Sequence, residues 1–157
     1  MLQADLSPIA IEKDTLFSLF LKRGVKVDFY HPSFVPNTAP VSLLLINDGQ
    51  DMEKMGFKTI LNSLYTAKAI EPILFVAIHA SAERKMEYGT QHTKDYLDRG
   101  AKAGAYTSFI FEELLPYVRK KYSFLSFKEK SFAGFSLGAL SAMDIIWNRP
   151  GEFSKAG

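Results

Sequence analysis

Cysteine is absent from this sequence. Without it the chain has no disulfide framework, no thiolate zinc site and no cysteine nucleophile. Chemistry that depends on a thiol is therefore excluded. The absence of cysteine gives no indication of whether the protein resides in a reducing or an oxidising compartment.

An excess of one sign of charge is also lacking. Nineteen lysines and arginines stand against seventeen aspartates and glutamates, which gives a formal net charge of +2 over 157 residues. The basic residues are dispersed, and the densest run, Arg119-Lys120-Lys121, is typical of a solvated helix end that the helix dipole favours. The sequence thus carries no electrostatic footprint of a nucleic-acid-binding protein, and we expect no nucleic-acid partner.

The features of a leader and a long apolar run are not evident in the sequence either. The start, Met1-Leu2-Gln3-Ala4-Asp5, has no basic segment followed by apolar residues, so we expect no signal peptide, no membrane span and a cytoplasmic location. With 47% hydrophobic and 23% charged residues, the composition is that of an ordinary globular protein. The length predicts a single domain over residues 1–157.

The pentapeptide Gly134-Phe135-Ser136-Leu137-Gly138 is the most informative pattern that is present. A sharp strand-to-helix turn requires this spacing, because a serine with strained backbone angles needs glycines two positions to either side. Residues Glu129–Ala133 predict a short strand before it, and Leu137–Trp147 predict a helix after it that stops at Pro150-Gly151. The pattern predicts a nucleophile elbow, and the alternative is a glycine-rich turn without chemistry.

Other segments predict strands earlier in the chain. Val25–Tyr30 alternates apolar and polar residues, with Thr15–Leu21 as its hairpin partner, whereas Val41–Ile46 and Pro72–Ile78 are nearly continuous apolar runs. Runs of the second kind are typical of strands that a parallel sheet buries on both faces. Three prolines mark the loop before the first buried strand, namely Pro32, Pro36 and Pro40.

Helices are predicted between these strands. Asp51–Ala69 and Ala101–Tyr122 carry apolar residues at helical spacing, the second with a kink at Pro116. Strands and helices thus alternate along the chain, which is the signature of an α/β fold. We expect a mostly parallel central sheet with helices on both faces.

Several segments together resemble the α/β-hydrolase superfamily, and within it the esterase group that includes esterase D, the enterochelin esterases and the mycolyltransferases. The resemblance rests on Leu44–Gln50, Ala101–Tyr106 with Phe109-Ile110, Glu113–Tyr117 and Ala133–Gly138, with Arg84 and Glu87-Tyr88 as a weaker element. Ala139 departs from the group, in which many members have another glycine. The resemblance implies an α/β-hydrolase fold and an ester hydrolase that needs no metal and no organic cofactor.

The resemblance also implies roles for three residues. Ser136 would be the nucleophile, and the backbone N–H groups of Leu137 and Gln50 would form the oxyanion hole. Gln50 follows the Asp48-Gly49 turn that leaves the first buried strand, where the superfamily has its second donor. A plain turn at Asp48-Gly49 is the alternative reading.

The base for such a serine is not evident. A serine hydroxyl needs a histidine in hydrogen-bond reach, itself oriented by a carboxylate, and the superfamily has both after the serine. Here His31, His79 and His92 all precede Ser136. His79 ends a buried strand, where side chains line the crevice of an open α/β sheet, and is a candidate for substrate binding. A histidine that caps a loop is the alternative.

The acids that follow Ser136 do not supply the partner either. Asp144 lies more than two helical turns beyond it and is interpreted as a helix-surface charge. Glu152 follows Pro150-Gly151 and is interpreted as a solvated turn residue. We therefore expect the chain to be the N-terminal part of a longer hydrolase, inactive alone, with the acid and histidine beyond residue 157.

A domain cut at this point would lack its C-terminal strands and keep an open sheet edge. We expect such an edge to favour a homo-oligomer. The small-molecule ester that would be the substrate is not specified by the sequence. The competing hypothesis is a non-catalytic half domain that acts by pairing through this edge with another chain.

Overall fold

The computed structural model describes residues 8–33 and 40–157. Two predictions lie outside these residues, namely the one for the start Met1–Asp5 and the part of the proline loop that contains Pro36. The described strands are β1 (Ile9–Ser18), β2 (Arg23–Pro32), β3 (Val41–Asn47), β4 (Ile73–Ile78), β5 (Phe127–Ala133) and β6 (Lys155–Ala156). The helices are α1 (Phe57–Thr66), α2 (Arg84–Glu87), α3 (Ala103–Ser108), α4 (Leu115–Lys121) and α5 (Leu137–Asn148).

The strands form one six-stranded sheet in the order β1-β2-β4-β3-β5-β6. β3 lies between β4 and β5 and pairs with both in parallel, and β5 pairs in parallel with β6. β1 and β2 form an antiparallel hairpin whose second strand is antiparallel to β4. The predicted α/β class is confirmed, and the sheet is mixed, with a parallel centre and an antiparallel hairpin at one edge.

Helices cover both faces of the sheet, as predicted. On one face α1 packs Leu61 against Ile46 and Phe75. On the other face the helical segment 103–121 and α5 cover Leu45, Val76 and their neighbours. Alternate residues of β3 therefore contribute to two different cores, which explains its continuous apolar sequence.

The predicted partner of β2 is right in kind but wrong in its bounds. β1 runs over Ile9–Ser18, and residues 19–22 form the turn instead of continuing the strand to Leu21. The turn forms because the Ser18 hydroxyl accepts a hydrogen bond of 3.0 Å from the Leu21 N–H, and Lys22 closes it at a φ of 53°. The apolar residues of the turn imitate a strand in the sequence.

Two predicted helices also change. The segment Asp51–Ala69 is helical only over α1, because Gly56 at a φ of 68° separates α1 from a 3₁₀ turn at Gly49–Asp51. The segment Ala101–Tyr122 is helical almost throughout, but its irregularity is a π-helical stretch, Phe109–Leu114. This stretch lies just before Pro116, whose ring has no N–H and crowds the preceding turn.

Candidate active site

The turn between β5 and α5 has the backbone that the pentapeptide predicts. β5 ends at Ala133, α5 begins at Leu137, and the exposed Ser136 between them has φ 52° and ψ −120°. A Cβ at Gly134 would lie 2.4 Å from the carbonyl carbon of Gly138, so a side chain at this position would collide with backbone. Gly134 is therefore required by the close approach of the two ends of the turn, whereas a Cβ at Gly138 would lie 2.9 Å from Asp48 Oδ2 and 3.2 Å from the Asn47 Cβ.

The two candidate oxyanion donors lie on different segments. Leu137 is the first residue of α5, so its N–H has no acceptor within the helix. Gln50 is the middle residue of the 3₁₀ turn that follows β3, and its N–H likewise has no acceptor within that turn. The Gln50 side chain is held on both sides, since its Nε2 donates to Asp48 (3.1 Å) and its Oε1 accepts from the Ala80 N–H (2.8 Å).

Asn47, the last residue of β3, joins the start of α5 to the sheet. Its fully buried side-chain amide donates to the Gly138 carbonyl over 2.9 Å and accepts from the Tyr106 hydroxyl over 2.5 Å. Asn47 and Tyr106 both lie in segments that carry the family resemblance, Leu44–Gln50 and Ala101–Tyr106, but no role was predicted for either. A polar residue at the end of a continuous apolar strand was the signal that could have found Asn47.

Asp48 is a buried carboxylate with a left-handed backbone, at 3% exposure and a φ of 61°. Arg84 donates to both carboxylate oxygens, Nε to Oδ1 over 2.7 Å and Nη2 to Oδ2 over 2.8 Å. The Asp48 N–H donates to the Tyr88 hydroxyl over 3.1 Å. Burial, reinforced by the charge of Asp48, raises the pKa of Tyr88, so this hydroxyl stays protonated at neutral pH.

His79 packs against the Gly49–Asp51 turn. Its ring packs against Gly49, where a Cβ would lie 2.9 Å from the ring Cδ2, and its Nε2 is 2.8 Å from the Asp28 carboxylate. The ring also lines a cavity with hairpin residues such as Lys13 and Lys26, and no residue of the Ser136 turn lines that cavity. His79 therefore contacts the loop that carries Gln50.

The other polar candidates have partners elsewhere. His31 contacts Glu12 (3.0 Å) and His92 contacts Gln91 (2.7 Å). Asp144 accepts from the backbone N–H of Gln91 over 2.9 Å, and Glu152 accepts from Arg119 and Lys130. None of these contacts involves Ser136.

Neither a metal centre nor a membrane helix is found in the described part of the chain. Residues 8–33 and 40–157 contain no group of three or more histidine, aspartate and glutamate side chains that could hold a metal ion. No helix within the same residues is long and apolar enough to cross a membrane.

Comparison with known proteins places this arrangement in a family. Residues 18–157 match the Esterase family, described as "Putative esterase". The match includes most of the chain, so the protein belongs to this family, whose fold is that of the α/β-hydrolases. No curated protein sequence matches the chain.

Solved structures of esterases share the fold. Enterochelin esterase from Shigella flexneri superposes with a TM-score of 0.72 at 22% identity, with 96% of this chain and 35% of that chain covered. An IroE-like serine hydrolase from Shewanella oneidensis gives 0.76 at 23%, with 92% and 48% covered. The siderophore hydrolase EstB from Aspergillus nidulans gives 0.69 at 20%, with 91% and 54% covered. The chain thus spans about a third to a half of the length of these structures.

Proposed function

We propose that residues 1–157 are the nucleophile-bearing part of a single α/β-hydrolase domain that hydrolyses carboxylic esters through an acyl-Ser136 intermediate. The observation that carries the proposal is the backbone of Ser136, at φ 52° between strand β5 and helix α5. A non-glycine residue is held in such a conformation only where the surrounding structure enforces it, and such strain is concentrated at functional sites.

The proposed reaction is an acyl transfer in two steps. The Ser136 Oγ attacks the carbonyl carbon of the ester while a base takes the hydroxyl proton, and the carbonyl oxygen becomes an oxyanion. The backbone N–H groups of Leu137 and Gln50 donate to that oxyanion, and the dipole of the twelve-residue helix α5 adds to its stabilisation. The alcohol leaves with the proton, and water then hydrolyses the acyl-serine by the same route.

The base and its orienting acid are proposed to come from outside this chain. The three histidines are each bonded to another side chain, His31 to Glu12, His79 to Asp28 and His92 to Gln91. The longer relatives have room for further elements, since the chain spans 35% of the enterochelin esterase structure. For His79, its contact with Gly49 favours support of the oxyanion loop over direct binding of substrate.

The proposed substrate is a small-molecule ester. Enterochelin esterase and a siderophore hydrolase are among the similar structures, and siderophore esters are candidates on that ground. Sequence identities of 20% to 22% support a shared fold, and the particular ester has to be determined by assay.

An apolar stripe supports self-association as a further property. Leu140, Met143 and Trp147 lie on one face of α5 and are 48%, 52% and 80% exposed. β6 is two residues long and is the last strand of the sheet, so its outer edge has no neighbouring strand among the described residues. Pairing of copies through this side of the molecule would bury both features. A non-catalytic pairing module is the second candidate function, and the same stripe favours it.

Labelling with a fluorophosphonate tests the catalytic proposal. We expect one slow covalent adduct, mapped by peptide mass to Ser136 and absent from Ser136→Ala, because loss of the histidine from such a triad costs on the order of 10⁶ in turnover. Ser123→Ala, a change at another exposed serine, should label as the unmodified chain does. An adduct that persists in Ser136→Ala would contradict the proposal. Rapid stoichiometric labelling of Ser136 would contradict the proposal that the catalytic base lies outside this chain.

A further inference from the structure

The short helix α2 is held in place by two ion pairs, one at each end. Arg84 binds the Asp48 carboxylate through two hydrogen bonds of 2.7 and 2.8 Å. Glu87 accepts two from Arg23, of 2.8 and 2.6 Å, and its side chain is 1% exposed. A helix of four residues has almost no stability of its own. Its position therefore depends on contacts with other segments, and backbone hydrogen bonds from Gly100 and Lys102 to the carbonyls of Lys85 and Met86 hold it in addition to the ion pairs.

Asp48 contacts both of the segments that carry the candidate oxyanion donors. It begins the turn that carries Gln50, and its Oδ1 accepts from the Gln50 side chain over 3.1 Å. Its Oδ2 faces α5, where a Cβ on Gly138 would approach it to 2.9 Å. One carboxylate therefore contacts both the turn after β3 and the first turn of the helix that Leu137 begins.

Arg84 neutralises this carboxylate at a site where it is otherwise difficult to accommodate. The Asp48 carboxylate is buried, which is unfavourable for a charged group. Its backbone is left-handed, which is less favourable for aspartate than for glycine. A buried carboxylate that loses its partner is driven toward water. Because Asp48 directly precedes Gly49–Asp51, this movement would displace the turn that carries the Gln50 N–H.

We propose that Arg84 is a positioning residue for the oxyanion hole. Through its ion pair with Asp48 it fixes the Gln50 N–H relative to the N-terminus of α5. The proposal rests on the ester hydrolase function proposed above, and it assigns to the loop after β4 a role that does not require contact with substrate.

Arg23 offers a matched control. Arg84→Gln and Arg23→Gln are the same chemical change. Each removes a guanidinium that donates two hydrogen bonds to a buried carboxylate, that of Asp48 for Arg84 and that of Glu87 for Arg23. Removal of an oxyanion donor typically costs 10²- to 10³-fold in rate, and displacement of one costs less. We expect Arg84→Gln to slow fluorophosphonate labelling of Ser136 about 10- to 100-fold, and Arg23→Gln to change it less than about threefold. Arg84→Lys should recover part of the rate, because a lysine keeps the charge without the two-pronged geometry.

Hydrogen exchange provides a readout that does not depend on chemistry. We expect Arg84→Gln to increase amide exchange in the Gly49–Asp51 turn at least about tenfold, and Arg23→Gln to leave it within about threefold. An unchanged turn in Arg84→Gln, or equal effects of the two variants on labelling or exchange, would overturn the positioning role. Absence of Ser136 labelling in the unmodified chain would count against the ester hydrolase function alone, and the exchange comparison would still decide the role of Arg84.

Discussion

The side-chain amide of Asn47 donates a hydrogen bond of 2.9 Å to the backbone carbonyl of Gly138, 91 residues away in the sequence. This bond ties the end of β3 to the first turn of α5. The two segments that carry the candidate oxyanion donors are therefore fixed to each other by a buried contact.

Replacement of Asn47 by leucine should be costly. Asn47→Leu removes one hydrogen bond from the Gly138 carbonyl and one from the Tyr106 hydroxyl, and each lost bond costs about 0.5–1.5 kcal/mol. We expect the free energy of unfolding in urea to fall by about 1–3 kcal/mol. Tyr106→Phe should cost less, and the double variant less than the sum, because Asn47 and Tyr106 share one hydrogen bond. Additive losses would show that the two side chains are not coupled.

Alanine in place of three glycines should give a graded series. A Cβ at Gly134 would lie 2.4 Å from backbone, one at Gly138 would lie 2.9 Å from the Asp48 carboxylate, and one at Gly151 has no atom within 4 Å. We expect Gly138→Ala to lower the free energy of unfolding by about 1–3 kcal/mol, despite the better helix propensity of alanine. Gly134→Ala should cost more, and Gly151→Ala should stay within about 0.5 kcal/mol. Thermal and urea unfolding measure the order, and a harmless Gly134→Ala would contradict the close approach of the turn.

The strain at Ser136 predicts that glycine is preferred there over alanine. At a φ of 52° a residue without Cβ avoids a backbone cost of about 1–3 kcal/mol, so Ser136→Gly should be more stable than Ser136→Ala by about 1 kcal/mol. Ser63, an exposed residue inside α1, is the control. There the order should reverse, with Ser63→Ala about 0.5–1 kcal/mol more stable than Ser63→Gly. The same order at both positions would show that Ser136 is not strained.

The ion pairs of Lys121 predict an acid-sensitive component of stability. Its ammonium contacts Glu12 (2.8 Å) and Asp14 (3.0 Å). The hydrogen bond from Lys121 lowers the pKa of Glu12, and bonds from Tyr117 and then Lys121 lower the pKa of Asp14. A lowered folded-state pKa adds stability above the unfolded value of about 4, and this stability is lost as pH falls through the folded value.

Lys121→Met should therefore flatten the acid side of the stability profile. We expect the loss of stability between pH 7 and pH 3 to shrink by up to about 1 kcal/mol, a small effect because both carboxylates are partly exposed. Lys94→Met, which removes an exposed pair with Asp98, should leave the profile unchanged. Urea titrations at a series of pH values measure the difference, and a steeper acid slope in Lys121→Met would have the wrong sign.

The exposed stripe of α5 predicts concentration-dependent self-association. Met143→Glu introduces a charge between Leu140 and Trp147 and should shift the chain toward monomer in size-exclusion chromatography with light scattering. Tyr96→Glu, at a loop residue that is 90% exposed, is the control and should leave the association state unchanged. A chain that is monomeric at all concentrations would contradict the stripe as an interface.

Local chemistry explains why much of the fold could be predicted. The apolar runs of β3 and β4 and the helical spacing of apolar residues in α5 indicate which residues each segment buries. This local pattern does not depend on which other segment covers those residues. The errors arose where apolar residues are not buried or where backbone geometry intervenes. Leu19 and Phe20 lie exposed in a turn, and Gly56 divides a predicted helix through its positive φ.

The turn that contains Ser136 and the contacts that support it differ in the same way. The need for glycine at position 134 is encoded within five residues, because the sharp turn brings Gly134 against the backbone of Gly138. The need for glycine at position 138 depends on residues far away in the sequence, since a Cβ there would meet Asp48 and Asn47. The pairing of Asn47 with Gly138, and of Asp48 with Arg84, joins residues 91 and 36 positions apart. Only the order of strands in the sheet brings these groups together, since a buried polar group has to find its partner among whatever the topology places beside it.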